Sequence, residues 1–320
     1  MSADSHLKSH LTRVAEGHTL TREEAEDAMR TIMAGEADPQ RTAGLLLGLR
    51  ARGETVDELT GFTAIMREFA LTVEVEDEAA IDLCGTGGDT ASTFNISTTA
   101  SLVAAGAGAT VAKHGNRSVS SQSGSADVLE EFGVVIDLGK EGVERCLDEV
   151  GISFIFAPNF HPAMKHVMPI RKSLGVRTCF NILGPLSNPA GVRRQLVGAF
   201  SPEVAETMAD ILRRLGGEHV VTVHGEHGMD ELSTVSATRV YEARRRNGSR
   251  ELPEIEHRIV RPDDHGLESA RPEALAGGSA QENARILETI LEAEGGPRRD
   301  VVVLNAGYAL YASGRYDTLE

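Results

Sequence analysis

The sequence predicts an α/β protein, with a small all-helical region ahead of a larger region built on a mostly parallel, mixed sheet flanked by helices. Three observations lead there. Residues 1–70 carry helix starts and helical spacing with no strand pattern among them. From about residue 73, short runs rich in Val and Ile alternate with helical patterns, as in a parallel sheet covered by helices. Residues 239–260 switch to alternating Arg, Val, Tyr and Glu around Asn247-Gly248, which marks a hairpin at the sheet edge. A chain of 320 residues is long enough for one large domain or two ordinary ones with a real core.

The helical region opens with Thr21 and Glu24 as a capping box, followed by Ala25, Met29, Ile32 and Met33 on one face. Asp38 as N-cap and Pro39 at the first helical position start another helix. Thr55 and Glu58 form a second box, with Leu59, Phe62, Ile65, Met66 and Phe69 behind it. These Met and aromatic positions read as core. The predicted strands are 81–84, 110–112, 152–157, 196–200, 219–223 and 301–304, and the predicted helices between them are 97–106, 142–150, 202–215 and 280–294. A further helical pattern spans 161–175, and 262–279, with Pro262, Pro272 and Gly277-Gly278, reads as a long connection. Arg244-Arg245-Arg246 reads as solvated surface beside the hairpin turn.

Composition removes several classes of function. The net charge of −16 has the wrong sign for a broad nucleic-acid surface, so an anionic ligand requires basic groups gathered at one site or help from a metal. No apolar run approaches the length of a membrane span, and the polar first ten residues lack the apolar core of a signal peptide. Cys84, Cys146 and Cys179 are odd in number and widely spaced, which argues against a disulfide framework or zinc site and for the cytoplasm. A Gly-x-Ser-x-Gly elbow, a Gly-Lys-Ser/Thr phosphate loop and a His-Glu-x-x-His motif are all missing, and the glycines at 85–88 lack full dinucleotide spacing.

Four stretches carry chemistry. In Ile81-Asp82-Leu83-Cys84-Gly85-Thr86-Gly87-Gly88-Asp89 an apolar run breaks into a glycine loop, and Asn95-Ile96-Ser97-Thr98 then opens an Ala-rich helix. Strand, glycine loop and helix start in that order present unpaired N–H groups to an anion, although a ligand-free tight turn has the same pattern. Residues 113–127 gather Lys113, His114, Asn116, Arg117 and several serines around Gly115 and Gly124 directly after a strand. Small hydroxyls and backbone amides beside two cations suit phosphate, and two such loops point to one ligand bearing several phosphates at the strands' C-terminal ends.

The third stretch, Gly228-Met229-Asp230-Glu231-Leu232-Ser233, also follows a strand. Adjacent carboxylates approach phosphates only through a hard cation such as Mg²⁺, with Ser97 as a further oxygen donor; a general acid/base pair is the second role open to them. In the fourth, 161–189, His161 stands at a helix start and Arg171 ten residues on falls near the same face, while Lys165 and Lys172 read as solvated. Arginine suits bidentate recognition of a carboxylate, and Phe180-Asn181-Ile182-Leu183-Gly184-Pro185 reads as a pocket wall.

Together, 85–89, 95–98, 113–127, Arg171, 177–189 and Asp230-Glu231 resemble the anthranilate phosphoribosyltransferases of tryptophan biosynthesis, from Thr19 to the Leu304 region. The resemblance implies a fold shared with pyrimidine nucleoside phosphorylases. It implies a helical domain of 1–72 plus 160–188, an α/β domain of 73–159 plus 189–320, and a homodimer joined through the helical domains. The implied reaction joins anthranilate to 5-phosphoribosyl 1-pyrophosphate and releases pyrophosphate. The residues implied to hold the phosphoribosyl pyrophosphate are Gly85, Gly88, Asp89, Thr93, Asn95, Ile96, Ser97 and Thr98, with Lys113, His114, Gly115, Asn116, Arg117, Ser118, Val119, Ser120, Ser121 and Ser125. Ser97, Asp230 and Glu231 are implied to bind Mg²⁺, two ions per subunit. Gly85, Asn116 and Arg171 are implied to contact anthranilate, with His114, His161, Gly184 and Pro185 lining its path. No side chain is assigned as general base, because an aromatic amine is nucleophilic while neutral. The missing side chain at Gly85 is expected to let anthranilate approach the ribose carbon.

Two departures from the family pattern stand out. The family continues through another helical stretch where this chain stops at Glu320, which is expected to expose apolar surface from Leu304 to Leu310. Ser236-Ala237-Thr238 replaces an expected Gly-Pro turn and is expected to lie away from the site. The rival readings are a pyrimidine nucleoside phosphorylase, a nucleic-acid-binding relative without anthranilate activity, and a helical dimerisation scaffold. The first makes little use of Lys113 to Arg117 and Arg171, the second conflicts with the charge, and the third gives the polar loops no purpose.

Overall fold

The computed structural model describes residues 3–88, 91–118, 122–245, 249 and 251–319. Asp89, Val119, Ser120 and Ser121 of the expected site, and Arg246, Asn247 and Gly248 of the expected hairpin turn, lie outside the described residues.

The chain begins with helices α1 (Ala3–Ala15), α2 (Arg22–Met33), α3 (Pro39–Arg52) and α4 (Val56–Glu68). Their starts are those the sequence predicts. Thr21 with Glu24 and Thr55 with Glu58 form reciprocal capping boxes, and Asp38 accepts the amides of Gln40 and Arg41 ahead of Pro39. Each such cap is worth about 1 kcal/mol. Glu58 does more than cap. It is fully buried, accepts the Leu20 amide at 2.8 Å and pairs with Arg52, which ties α3, α4 and the α1–α2 connection together.

The sheet region follows as β1 (Ile81–Gly85), α5 (Ile96–Gly106), β2 (Val111–Gly115), α6 (Ser125–Glu131), α7 (Lys140–Val150) and β3 (Ile152–Phe156). The helical segments α8 (Ala157–Phe160), a 3₁₀ turn (Pro162–His166), α9 (Met168–Leu174) and α10 (Phe180–Leu186) come next. Then come β4 (Arg194–Gly198), α11 (Pro202–Arg214), β5 (His219–Gly225), β6 (Thr238–Arg244), β7 (Ile255–Val260), two short 3₁₀ turns, α12 (Ala280–Leu291) and α13 (Pro297–Ala312). The strands form one mixed sheet in the order β3-β2-β1-β4-β5-β6-β7. Its first five strands are parallel, and β6 and β7 add an antiparallel hairpin at the edge. The ladders are uneven. β1 shares five registered pairs with β4 and β2 shares five with β3, but β1 and β2 share only Ile81 with Val111.

Alternate strand residues supply opposite faces of the sheet. Val197 and Val220 join the core of α11 and the N-terminal helices; Leu196 and Val221 join the core under α5 and α13. Val167, Phe180, Leu183 and Leu186, from the helical segment after β3, share the first core with Leu7, Leu45 and Phe62.

Three expectations need correction. Residues 301–304 are helix, not strand: Pro297 opens α13, and Val301, Val302, Leu304, Tyr308 and Ala309 are buried along it. A four-residue apolar run does not distinguish a strand from one turn of a deeply buried helix. The 161–175 pattern is not one helix. It breaks between the 3₁₀ turn and α9, so His161 and Arg171 do not share a helical face. The region from Leu304 to Leu310 is not an exposed apolar face, because Leu304, Ala306, Tyr308 and Ala309 are buried against the core that contains α5.

Candidate active site

The parallel strands β1, β2, β4 and β5 end at Gly85, Gly115, Gly198 and Gly225, and the polar loops of the sequence leave from those ends. Gly85 and Gly198 are registered neighbours. A Cβ on Gly198 would lie 1.4 Å from the carbonyl oxygen of Asp230, and one on Gly85 would lie 2.5 Å from the Asp230 carboxylate. Both glycines therefore make room for the loop after β5. That is a different reason for Gly85 from the one the sequence suggested, and Gly198 was not anticipated at all.

This loop is held on both flanks. The Gly225 amide bonds the Met229 carbonyl at 2.9 Å, and Met229 is buried. Asn305 of α13 accepts the Leu232 amide at 3.1 Å and donates to the Leu232 carbonyl at 2.9 Å. Thr238 accepts the Ser233 amide at 2.9 Å, so the 236–238 segment braces the loop and is not remote from it. Between these anchors Asp230 and Glu231 are presented to the loop after β1 and to the start of α5. Asp230 Oδ2 accepts the Gly87 amide at 2.8 Å, and Glu231 Oε1 accepts the Ser97 amide at the start of α5 at 3.1 Å.

The two carboxylates strain against each other and against their burial. Burial raises the pKa of Asp230 above the usual carboxylate range. Burial, with the charge of Asp230 beside it, pushes Glu231 up to about 8. No Lys or Arg of the described residues forms an ion pair with either. Two repelling carboxylates with a serine hydroxyl nearby are hard oxygen donors that fit Mg²⁺, which keeps several waters and needs only one or two carboxylates from protein. The described residues contain no group of three or more His, Cys, Asp or Glu placed to hold a metal ion.

In the first loop Gly87 and Gly88 have φ of +64° and +66°. The Thr86 amide bonds Gly198 O, and Arg177 reaches Gly88 O while lying 4.6 Å over the Phe200 ring. Thr93 bridges to Ala276, which ties this loop to the connection before α12. Asn95 precedes α5 without capping it. Its side chain donates to Ser123 O at 3.2 Å and accepts from Asn283 at 2.9 Å, joining both loops to α12. Ile96 and Thr98 are buried, and the Ile96 amide already bonds Phe94 O, so Ile96 serves the core.

In the second loop Asp127 accepts the amides of Ser118 at 3.0 Å and Gly124 at 2.8 Å, and Ser125 donates to Asn116 O at 3.2 Å. Arg117 turns away to Asp127 and Glu130, and these carboxylates raise its pKa. Lys113 is buried and donates to Leu83 O. Burial lowers its pKa, against the opposing pull of the Asp82 charge. Asp82, which the sequence reading passed over, is fully buried, and burial raises its pKa to about 6.

On the side expected to receive anthranilate, His114 and His161 meet at 3.2 Å between their Nε2 atoms, both buried. Burial pushes them down to about 3 and about 4, so both are neutral near pH 7. Pro185 O accepts from Gln195 at 3.2 Å, which fixes the Gly184-Pro185 end of α10 against β4. Arg171 lies 5.4 Å over the Phe180 ring, and burial lowers its pKa. No ion pair engages it among the described residues. Two cavities of about 460 and 490 Å³ lie elsewhere, lined by β6–β7 residues with Tyr311 and by 235–237 with 261–269.

The chain thus joins a helical bundle to a mixed sheet and sets a carboxylate pair against the glycine loop after β1, and both of its parts are those of a glycosyl transferase family. Residues 8–70 match the Glycosyl transferase family, helical bundle domain, and residues 77–320 match the Glycosyl transferase family, a/b domain. The chain is 60% identical to the anthranilate phosphoribosyltransferase of Salinibacter ruber, over 98% of this chain and 91% of the relative. Among solved structures, anthranilate phosphoribosyltransferase from Thermus thermophilus superposes with a TM-score of 0.88 at 44% identity, covering 97% of this chain and 91% of that one. The enzyme from Saccharomyces cerevisiae in complex with PRPP and Mg gives a TM-score of 0.87 at 26% identity, covering 98% and 90%. The chain belongs to the anthranilate phosphoribosyltransferase family.

Proposed function

We propose that this chain transfers the phosphoribosyl group of 5-phosphoribosyl 1-pyrophosphate to the amine of anthranilate, giving N-(5-phosphoribosyl)anthranilate and pyrophosphate in tryptophan biosynthesis. Family membership at 60% identity supports the reaction. The observation that carries the site is the approach of Asp230 and Glu231 to the amides of Gly87 and Ser97, which sets a carboxylate pair against the loop after β1 and the start of α5.

In this reading the amides of 85–88 and the start of α5 with Lys113 hold the substrate's phosphates, as preorganised donors for the charge that develops on the leaving pyrophosphate. Asp230, Glu231 and Ser97 hold Mg²⁺, two ions per subunit, and the bound metal neutralises that developing charge. Asn116, Ser118 and Ser125, on the loop that Asp127 keeps closed, contribute further polar contacts to the phosphoribosyl group. The neutral His114–His161 pair and Gly184-Pro185 wall the approach of the neutral amine, which needs no strong base before attack. Arg171, which has no ion pair among the described residues, pairs with the anthranilate carboxylate and orients the ring; holding amine and ribose carbon in line lowers the barrier by proximity.

We also infer a helical domain of 1–72 with 160–188, supported by the shared core of Phe62 and Phe180, and a homodimer formed through it, supported by exposed Leu47, Met168 and Val176. A cytoplasmic location accords with the free cysteines Cys84, Cys146 and Cys179. The reaction is tested by following anthranilate fluorescence with purified protein, Mg²⁺ and both substrates. A decay that needs all of them is expected; a folded protein that gives no such decay would sink the assignment.

A further inference from the structure

The seam between β1 and β2 is closed by side chains. Beyond the one registered pair, Ile81 with Val111, two backbone groups of β2 bond side chains in place of β1 backbone. Asp82 Oδ1 accepts the His114 amide at 3.1 Å, and Asn188 Nδ2 donates to Ala112 O at 2.8 Å. In the other direction Lys113 sends its ammonium to Leu83 O. The seam ends between the two anion loops, one leaving β1 at Gly85 and the other leaving β2 at Gly115.

Asp82 is an odd residue with which to close a sheet. It is 0% exposed, and among the described residues no donor meets its Oδ2 in good hydrogen-bond geometry. A neutral residue would close the seam without the cost of burying a charge. What a carboxylate adds is a negative charge in the same seam as the buried Lys113, and a grip on the backbone one residue beyond it.

We propose that Asp82 is a positioning residue: by holding the His114 amide and setting its charge beside Lys113 in the β1–β2 seam, it holds the Lys113 ammonium, now on Leu83 O, in place for the substrate's phosphates. The proposal rests on reading Lys113 as a phosphate-binding group. Asp82 touches no substrate and acts through Lys113.

A double-mutant cycle separates the possibilities, with Asp82→Asn, Lys113→Met and the double variant compared by steady-state kinetics and thermal unfolding. Asp82→Asn keeps an acceptor for the His114 amide and removes the charge. It is expected to raise the KM for phosphoribosyl pyrophosphate about tenfold, to leave the anthranilate KM within about twofold, and not to lower Tm, on the scale of coupling between neighbouring groups. In the Lys113→Met background the same change is expected to add less than about twofold. Equal effects of Asp82→Asn in both backgrounds, or an unchanged KM with a lowered Tm, would overturn the proposal and leave Asp82 a structural role. An unchanged KM in Lys113→Met alone would overturn the phosphate role of Lys113 and the proposal with it; a raised KM there with a silent Asp82→Asn overturns only the proposal. Should Asp82→Asn not fold, Asp82→Ser, which keeps a smaller acceptor, takes its place in the same cycle.

Discussion

Replacing Gly198 with Ala tests the steric basis of the site most directly. An alanine Cβ there would sit 1.4 Å from Asp230 O, 2.3 Å from Asp230 C and 3.1 Å from its Cα. The obstacle is backbone, so no rotamer change relieves it. To clear 3.0 Å the Asp230 carbonyl must retreat by more than about 1.6 Å, unless β4 moves by as much. The flanks of the loop resist such a shift, since Met229, Leu232 and Ser233 are bonded to Gly225, Asn305 and Thr238. The carboxylates of Asp230 and Glu231 must absorb it, and they lose their bonds to Gly87 and Ser97. A misplacement of about 1 Å in a catalytic constellation costs roughly a hundredfold, or about 2.7 kcal/mol of transition-state stabilisation.

Gly198→Ala is therefore expected to lower kcat/KM by roughly two orders of magnitude and to raise the Mg²⁺ concentration for half-maximal rate. Gly85→Ala is expected to be milder, about tenfold, because its Cβ meets the end of the Asp230 side chain at 2.5 Å, which can swing aside at the cost of the Gly87 bond. Both are read from anthranilate fluorescence at several Mg²⁺ concentrations, with circular dichroism to confirm the fold. A folded Gly198→Ala protein with wild-type Mg²⁺ dependence, or one less impaired than Gly85→Ala, would refute this account.

Three further outcomes follow from the electrostatics. Glu231, raised from 4.5 to about 8, contributes stability that is present below pH 4.5 and lost as pH rises through about 8. The metal-free protein should thus lose Tm across that window, Mg²⁺ should restore more of it at pH 8 than at pH 6, and Asp230→Asn with Glu231→Gln should abolish the Mg²⁺ response; an unchanged metal titration would remove both from the site. Arg171→Ala is expected to raise the anthranilate KM at least about tenfold with little change for phosphoribosyl pyrophosphate, as loss of a charged hydrogen bond does, and an effect confined to the latter substrate would reverse its role. His114 and His161, depressed to about 3 and 4, give stability that is present above pH 6.5 and lost as pH falls toward those values. His161→Gln should flatten the fall in Tm between pH 6.5 and 4, and an unaltered slope would mean that other groups carry the acid sensitivity.

The parts of the fold that declare themselves in sequence are those whose signal is local. Capping boxes at Thr21 and Thr55 and the Asp38-Pro39 start are set by neighbours three residues apart, and they stand where the spacing puts them. The parallel strands before the glycine loops are likewise legible, because there a flanking Gly resolves the ambiguity of a short apolar run. The strand expected at 301–304 failed because burial on all sides erases periodicity, and with it went Asn305, whose role on the Leu232 backbone exists only once α13 reaches the loop. Asp82 and Gly198 were missed for a related reason. One looks like a stray charge in a strand and the other like a strand end, and their meaning lies in contacts with residues far along the chain. Arg117 was legible as a cation but not in its direction, since Glu130 a helix away captures it.

That capture bears on how a chain of net charge −16 holds a polyanion. The obvious solution, a cluster of free arginines, is not seen among the described residues. Arg117 is engaged by Asp127 and Glu130, and Arg177 donates to the carbonyl of Gly88, so both brace loops. In the proposed site what remains is Lys113, the loop and helix-start amides, and a carboxylate pair that a bound Mg²⁺ would neutralise. Fixed amides stay aimed whether or not substrate is bound, whereas free arginines would have to be ordered at each turnover. A site of this kind tolerates an acidic surface, because attraction comes from short-range donors and a bound metal, both of which act inside the screening length of salt. Its weakness follows from the same design: with so few charges, the position of each one matters, which is why a single methyl group at Gly198 is expected to cost as much as the loss of a ligand.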